Sequence, residues 1–151
     1  MIQTGTMIDL ALPRPSITAA AAAALIDAAE RHAASIGLAI VTVIVDESGV
    51  LKAMRRMDGA ALVAIAVAEK KARTAVGFGI ATGQPWRDFI GSDPILAAGA
   101  ESIPDFTMFT GGIPLRVGGA LVGAIGVSGG HYSHDEACAQ AALAVVSFAK
   151  A

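Results

Sequence analysis

Apolar residues in this chain follow two alternating rhythms. Residues 38–45 form a nearly unbroken apolar, β-branched run, as in a strand buried on both faces. Asp46-Glu47-Ser48-Gly49 is a turn, and residues 50–57 return as a second strand of a hairpin. Residues 113–117 and 120–128 form another hairpin around Gly118-Gly119. Between and around these segments the period lengthens to that of a helix. Thr18 caps a first helix that opens with six alanines, carries Leu25, Ala29, His32 and Ile36 at helical spacing and ends at Gly37. A long helix is predicted over 60–78. A last one starts near His134, where Ser133 and Glu136 have capping-box spacing. Its apolar face is Cys138, Ala141, Ala142, Val145, Val146 and Ala149. Residues 82–104 are less regular. Pro85 fits a short helix around Trp86, and Pro94 a turn ending at Gly99.

The predicted order is helix, hairpin, helix, irregular segment, hairpin, helix. That order implies an α+β fold, an antiparallel sheet of two hairpins covered by helices. Residues 1–15, with Pro13 and Pro15, read as an N-terminal arm and residues 16–151 as one domain.

Composition sharpens this picture. Hydrophobic residues make up 54% and charged residues 16%, and mean hydropathy is +0.62. No apolar run reaches the roughly 18 residues that span a bilayer. A large subunit interface accounts for the excess, so a homo-oligomer is expected. Net charge of −2 gives no nucleic-acid footprint. The lone Cys138 excludes an intramolecular disulfide and reads as a small core residue. The first residues lack a signal-peptide pattern, so a cytoplasmic location is expected.

Candidate chemistry gathers where the last strand meets the last helix. His131 and His134 flank Tyr132, the only tyrosine, beside Gly129-Gly130 and a helix N-terminus. Two imidazoles three residues apart suit a transition metal or haem iron, or proton transfer near neutral pH. Asp135 would add first-turn charge or orient a histidine. Thr110-Gly111-Gly112, before the second hairpin, could hold an anion on backbone N–H groups and a hydroxyl. Lys70, Lys71 and Arg73 are expected to be a solvated face, unless a lysine enters the cleft to bind a carboxylate or act as a base. Arg55 and Arg56 point to opposite sides of a strand, one of them buried against Asp58 or Asp46. P-loop, dinucleotide-binding, nucleophile-elbow and His-Glu-x-x-His patterns are absent.

Four segments, in order, carry a resemblance. They are Arg56-Met57-Asp58-Gly59-Ala60, Lys71-Ala72-Arg73-Thr74-Ala75, Gly111-Gly112-Ile113-Pro114, and the closing Gly123-x-x-Gly126-Val127-Ser128-Gly129 with Asp135 and its alanine-rich helix. Together they resemble the GlcG/HbpS family, the haem-binding-protein-like domain that also forms the C-terminal part of some cobalamin adenosyltransferases. The resemblance implies a profilin-like or PAS-like sandwich, a homo-oligomer with the octamer as one form, and haem as a cofactor. It leaves open whether the protein is an enzyme. The main alternative is an accessory catabolic enzyme, an isomerase, hydratase or lyase acting on a small carboxylate or aromatic compound. In it His131 or His134 moves a proton, Tyr132 assists, and Gly111-Gly112 or Lys71 holds the anion. A shell-associated assembly module without chemistry is a third reading. The His-Tyr-Ser-His loop departs from the family pattern, so its role comes from this chain's own residues.

Overall fold

The structure, a computed structural model, describes residues 8–145. The elements run α1 (Ala19–Ser35), β1 (Val41–Asp46), β2 (Leu51–Arg56), α2 (Val63–Phe78), α3 (Gln84–Ile90), α4 (Pro94–Ala100), β3 (Gly112–Val117), β4 (Ala120–Ser128) and α5 (Tyr132–Val145). The strands form one antiparallel sheet ordered β2-β1-β4-β3. The two expected hairpins are joined through their inner strands, β1 and β4. Helix α2 covers one face, over Val41, Val43, Val45 and Ala124. Helices α1 and α5 cover the other, over Ile40, Ile44, Ile125 and Val127. The α+β fold expected from the residue pattern, and the sandwich that the resemblance implied, are therefore what the structure has.

Local chemistry accounts for the element ends. Thr18 Oγ1 accepts the Ala21 N–H and caps α1. Gly118 and Gly119 both take positive φ in the β3–β4 turn, as a two-residue hairpin needs. Helix α5 starts two residues before its predicted start. Ser133 lies inside its first turn, and its Oγ bonds the His131 ring 2.8 Å away, so the capping box is not what starts this helix. Cys138 and Ala142 are buried on the predicted face, Ala141 is half-buried, and Ala139 joins the buried set. Val146, Ala149 and the first seven residues of the arm lie outside the described residues. Residues 8–16 are exposed and irregular. No helix among the described residues is long and apolar enough to cross a membrane.

Two charge assignments change. Neither Arg55 nor Arg56 is buried. Arg55 pairs with Asp27 and Glu30 of α1, because β2 is an edge strand exposed along most of its length. Lys71 does not belong to a solvated face. It is 1% exposed, while Arg73 pairs with Asp105 at 3.0 Å.

Close packing buries Lys71. Gly112 and Gly126 are cross-strand partners on β3 and β4. A Cβ on Gly126 would stand 2.1 Å from the Ala68 carbonyl, and one on Gly112 would stand 2.3 Å from the Lys71 carbonyl. The α2 backbone thus rests directly on a saddle made by the two glycines. From there the Lys71 side chain reaches around the end of the sheet. Its Nζ donates to the Val127 carbonyl at 2.8 Å and to Asp135 Oδ2 at 2.6 Å. Asp135, 2% exposed, also accepts the Gly130 N–H at 3.0 Å. One buried ion pair therefore ties the helix on one face of the sheet to the helix on the other. Burial pulls the Lys71 ammonium below its usual range, and Asp135 pulls it part of the way back.

Urea denaturation tests this packing. Gly126→Ala is expected to cost about 2–3 kcal/mol by overpacking the saddle, or more if α2 cannot shift. Gly77→Ala, a helical position with open space around it, should stabilise by about 0.5–1 kcal/mol. Asp135→Asn is expected to cost about 3–5 kcal/mol by leaving the buried ammonium uncompensated, whereas Lys71→Met with Asp135→Leu should recover most of that loss. Equal losses for the single and double variants would refute this account of the pair.

Candidate functional site

The loop between β4 and α5 exists because Ser128-Gly129-Gly130 ends the strand. Gly129 has φ +153, and a Cβ there would stand 2.4 Å from the Ala39 carbonyl. The loop is pinned at its base by Asp135 and at its side by Thr110, whose Oγ1 donates to the Tyr132 carbonyl at 2.7 Å. The His131 carbonyl accepts the N–H groups of His134 and Asp135, which sets the first turn of α5. The rings of His131 and Tyr132 lie 4.0 Å apart, centre to centre, tilted by 35°.

A pocket of about 270 Å³ opens beside this loop. His131, Tyr132 and Gly130 form one side, and Val67 of α2 and Phe109 form part of the opposite wall. The Lys71–Asp135 pair contributes buried charged groups to its lining. Phe109 and Tyr132 are 56% and 46% exposed, so the pocket has an open aromatic rim. Lys71 spends two of its three donors on Val127 and Asp135, leaving one N–H unassigned.

Of the residues singled out from the sequence, this pocket brings together His131, Tyr132, Gly130, Lys71 and Asp135. Gly129 shapes the loop from below without lining the pocket. His134 stands outside the lining, its ring 6.3 Å from that of His131. Among the described residues no group of three His, Cys, Asp or Glu side chains could hold a metal ion, so the pair makes no protein-only metal cage.

Thr110, Gly111 and Gly112 sit behind the pocket rather than in it. Gly112 N–H donates to Thr82 Oγ1 at 2.9 Å, so it is not free for an anion. A Cβ on Gly111 would stand 3.0 Å from Asp135 Cβ. These residues let the loop pack against the ion pair. Val67, Phe109 and Ser128 are the lining residues that the sequence reading missed. Val67 carried one signal: it lies four residues before Lys71, on the same helix face. Phe109 carried only its neighbourhood to Thr110. Asp135 holds a lysine rather than a histidine.

Comparison with known proteins agrees with this architecture. A family model described as haem degrading protein HbpS-like matches residues 17–144. GlcG of Escherichia coli K12 is 33% identical over 110 residues, spanning 71% of this chain and 77% of GlcG. The crystal structure of a double mutant of Streptomyces reticuli HbpS superposes with a TM-score of 0.83 at 28% identity, covering 98% of this chain and 99% of that one. A crystal structure of a PduOC:heme complex superposes with a TM-score of 0.78 at 30% identity, covering 87% and 95%. The matched span takes in all four sheet strands, the α2 lysine and the loop that bears His131, and on that basis the chain belongs to the GlcG/HbpS family.

Proposed function

We propose that the pocket between α2 and the β4–α5 loop binds haem or a similar flat, anionic ligand, with His131 as the residue that meets the iron. The observation that carries this reading is the placement of the His131 imidazole in an open pocket beside Tyr132, Phe109 and Val67. These residues suit a porphyrin chemically: an imidazole for iron, and apolar and aromatic surfaces for the ring. The size sets a limit. At about 270 Å³ the pocket lies below the roughly 300–1,000 Å³ that enclose a drug-sized ligand, so it takes part of a macrocycle and leaves the rest outside. The haem complex of a 30% identical neighbour and the haem-related description of the family support the reading. When bound, haem would supply iron redox chemistry. This chain's part is to offer the donor, orient the ring and shield one side of it.

The small volume and the buried lysine favour a second reading, in which the ligand is a small carboxylate. Lys71 then holds the anion with its remaining N–H, and His131 moves a proton with Tyr132 beside it. We also propose that the protein is a homo-oligomer. Leu62 and Val63, at the start of α2, stand 74% and 68% exposed and would be covered in an assembly.

Titration with haemin is expected to give a saturable Soret shift at micromolar protein. His131→Ala should weaken it about tenfold or more, and His134→Ala less. A shift indifferent to His131→Ala would place the porphyrin elsewhere. Ligand-observed NMR with two- to four-carbon carboxylates separates the second reading: binding that haemin displaces, with no Soret shift dependent on His131, would favour the small acid. Light scattering should give a solution mass that is a multiple of 15.1 kDa, and a monomer would defeat the oligomer reading.

A further inference from the structure

His131 immediately precedes α5, so its ring stands where the side chain of a helix N-cap stands. Its Nδ1 accepts the backbone N–H of Ser133 at 3.4 Å and lies 2.8 Å from Ser133 Oγ. The His131 carbonyl accepts the N–H groups of His134 and Asp135, and the Tyr132 ring lies 4.0 Å away, so the backbone and the ring are both held. His131 lines the pocket and Ser133 does not. With Nδ1 taken by Ser133, Nε2 is the ring nitrogen left to a ligand.

The two contacts at Nδ1 are chemically unequal. A backbone N–H can only donate, whereas a hydroxyl can donate or accept. In the neutral ring the Ser133 N–H therefore makes Nδ1 the acceptor and leaves the proton on Nε2. That form offers a ligand a donor, as a carboxylate requires. Iron requires the reverse, a lone pair on Nε2 with the proton on Nδ1. An Nδ1–H would meet the Ser133 N–H donor to donor. The adjacent group able to turn from donor to acceptor is Ser133 Oγ.

We infer that Ser133 is a positioning residue whose hydroxyl lets His131 exchange a donor at Nε2 for a lone pair, and so decides whether the pocket can take iron or only an anion. The inference rests on the reading in which His131 meets the iron. With the hydroxyl present, Oγ accepts from Nδ1–H and supports the iron-binding tautomer. Without it, only the backbone N–H faces Nδ1, and the ring stays in the form suited to an anion. Asp135 does not supply this acceptor, because its carboxylate is engaged by Lys71 and by the Gly130 N–H.

Two measurements test this on the full chain. Long-range proton–nitrogen NMR of histidine-labelled, ligand-free protein at alkaline pH reads the tautomer of His131 directly. The proton is expected on Nε2 in the wild type and in Ser133→Ala. It should move towards Nδ1 in Ser133→Asp, whose carboxylate can only accept. Haemin titration is the second measurement. Ser133→Ala should weaken binding about tenfold, as loss of a hydrogen-bond partner to a metal-binding histidine does, and Ser133→Thr, which keeps the hydroxyl, should restore it. The haem complex of Ser133→Asp should have a lower reduction potential than that of the wild type, because a carboxylate on Nδ1–H makes the imidazole a stronger donor. Three outcomes overturn the inference: a wild-type ring protonated on Nδ1, a tautomer that Ser133→Asp leaves unmoved, or equal haemin affinity in Ser133→Ala and Ser133→Thr. A wild-type haemin titration indifferent to His131→Ala defeats the haem reading and, with it, the iron-selecting role of Ser133. A failure of the Ser133 variants alone leaves the haem reading standing.

Discussion

A buried ammonium and a buried carboxylate, 2.6 Å apart at the end of the sheet, fix the relation between the two helical layers. Lys71 comes from the helix on one face and Asp135 from the helix on the other. Neither group could lie so deep alone, since an isolated buried charge costs far more than a domain's net stability allows. Each therefore requires the other in place. The Val127 carbonyl and the Gly130 amide complete their hydrogen bonding, so the strand end and the loop join the same network. Such a pair adds little net stability, but it fixes one arrangement of helices, loop and sheet end.

The glycine saddle makes that pair possible. With any side chain at Gly112 or Gly126, α2 would ride farther from the sheet, and Lys71 would be held back from Asp135. The same approach brings Val67, one turn earlier on α2, to the wall facing His131. The family motifs Gly111-Gly112 and Gly123-x-x-Gly126 thus act in the site through packing. They set the position of the helix that bears the lysine rather than touching a ligand themselves.

Two cavities of the molecule differ in chemistry. The pocket at His131 has an imidazole, a phenol, a lysine–aspartate pair and an exposed aromatic rim, so it can meet a metal, an anion or a flat ring. The cavity at Trp86, between α2 and the α3–α4 pair, has apolar walls. The glycine saddle and the Lys71–Asp135 pair form the framework of the first pocket. Its outer part is formed by His131, Tyr132 and Phe109.

Much of the fold was legible in the sequence. β-Branched runs, paired turn glycines and a capping threonine act through neighbours in the chain, so strands, hairpins and α1 could be placed from local pattern alone. The hairpin order implied an antiparallel sheet covered by helices, and the family resemblance implied the α+β sandwich. The candidate site was legible only in part. His131, Tyr132 and Gly130 are adjacent in sequence, and their convergence needed only a strand end and a helix start. The burial of Lys71 was open only as the alternative to a solvated face, because Glu69-Lys70-Lys71-Ala72-Arg73 reads as a polar helix face, and only the tertiary approach of α2 to two distant glycines selects one lysine for the interior. The pairing of Arg55 with α1 likewise depends on β2 being an edge strand, which is a property of sheet order. Local chemistry sets which elements form. Long-range packing sets which charges are buried, because desolvation depends on what covers a residue and not on what precedes or follows it.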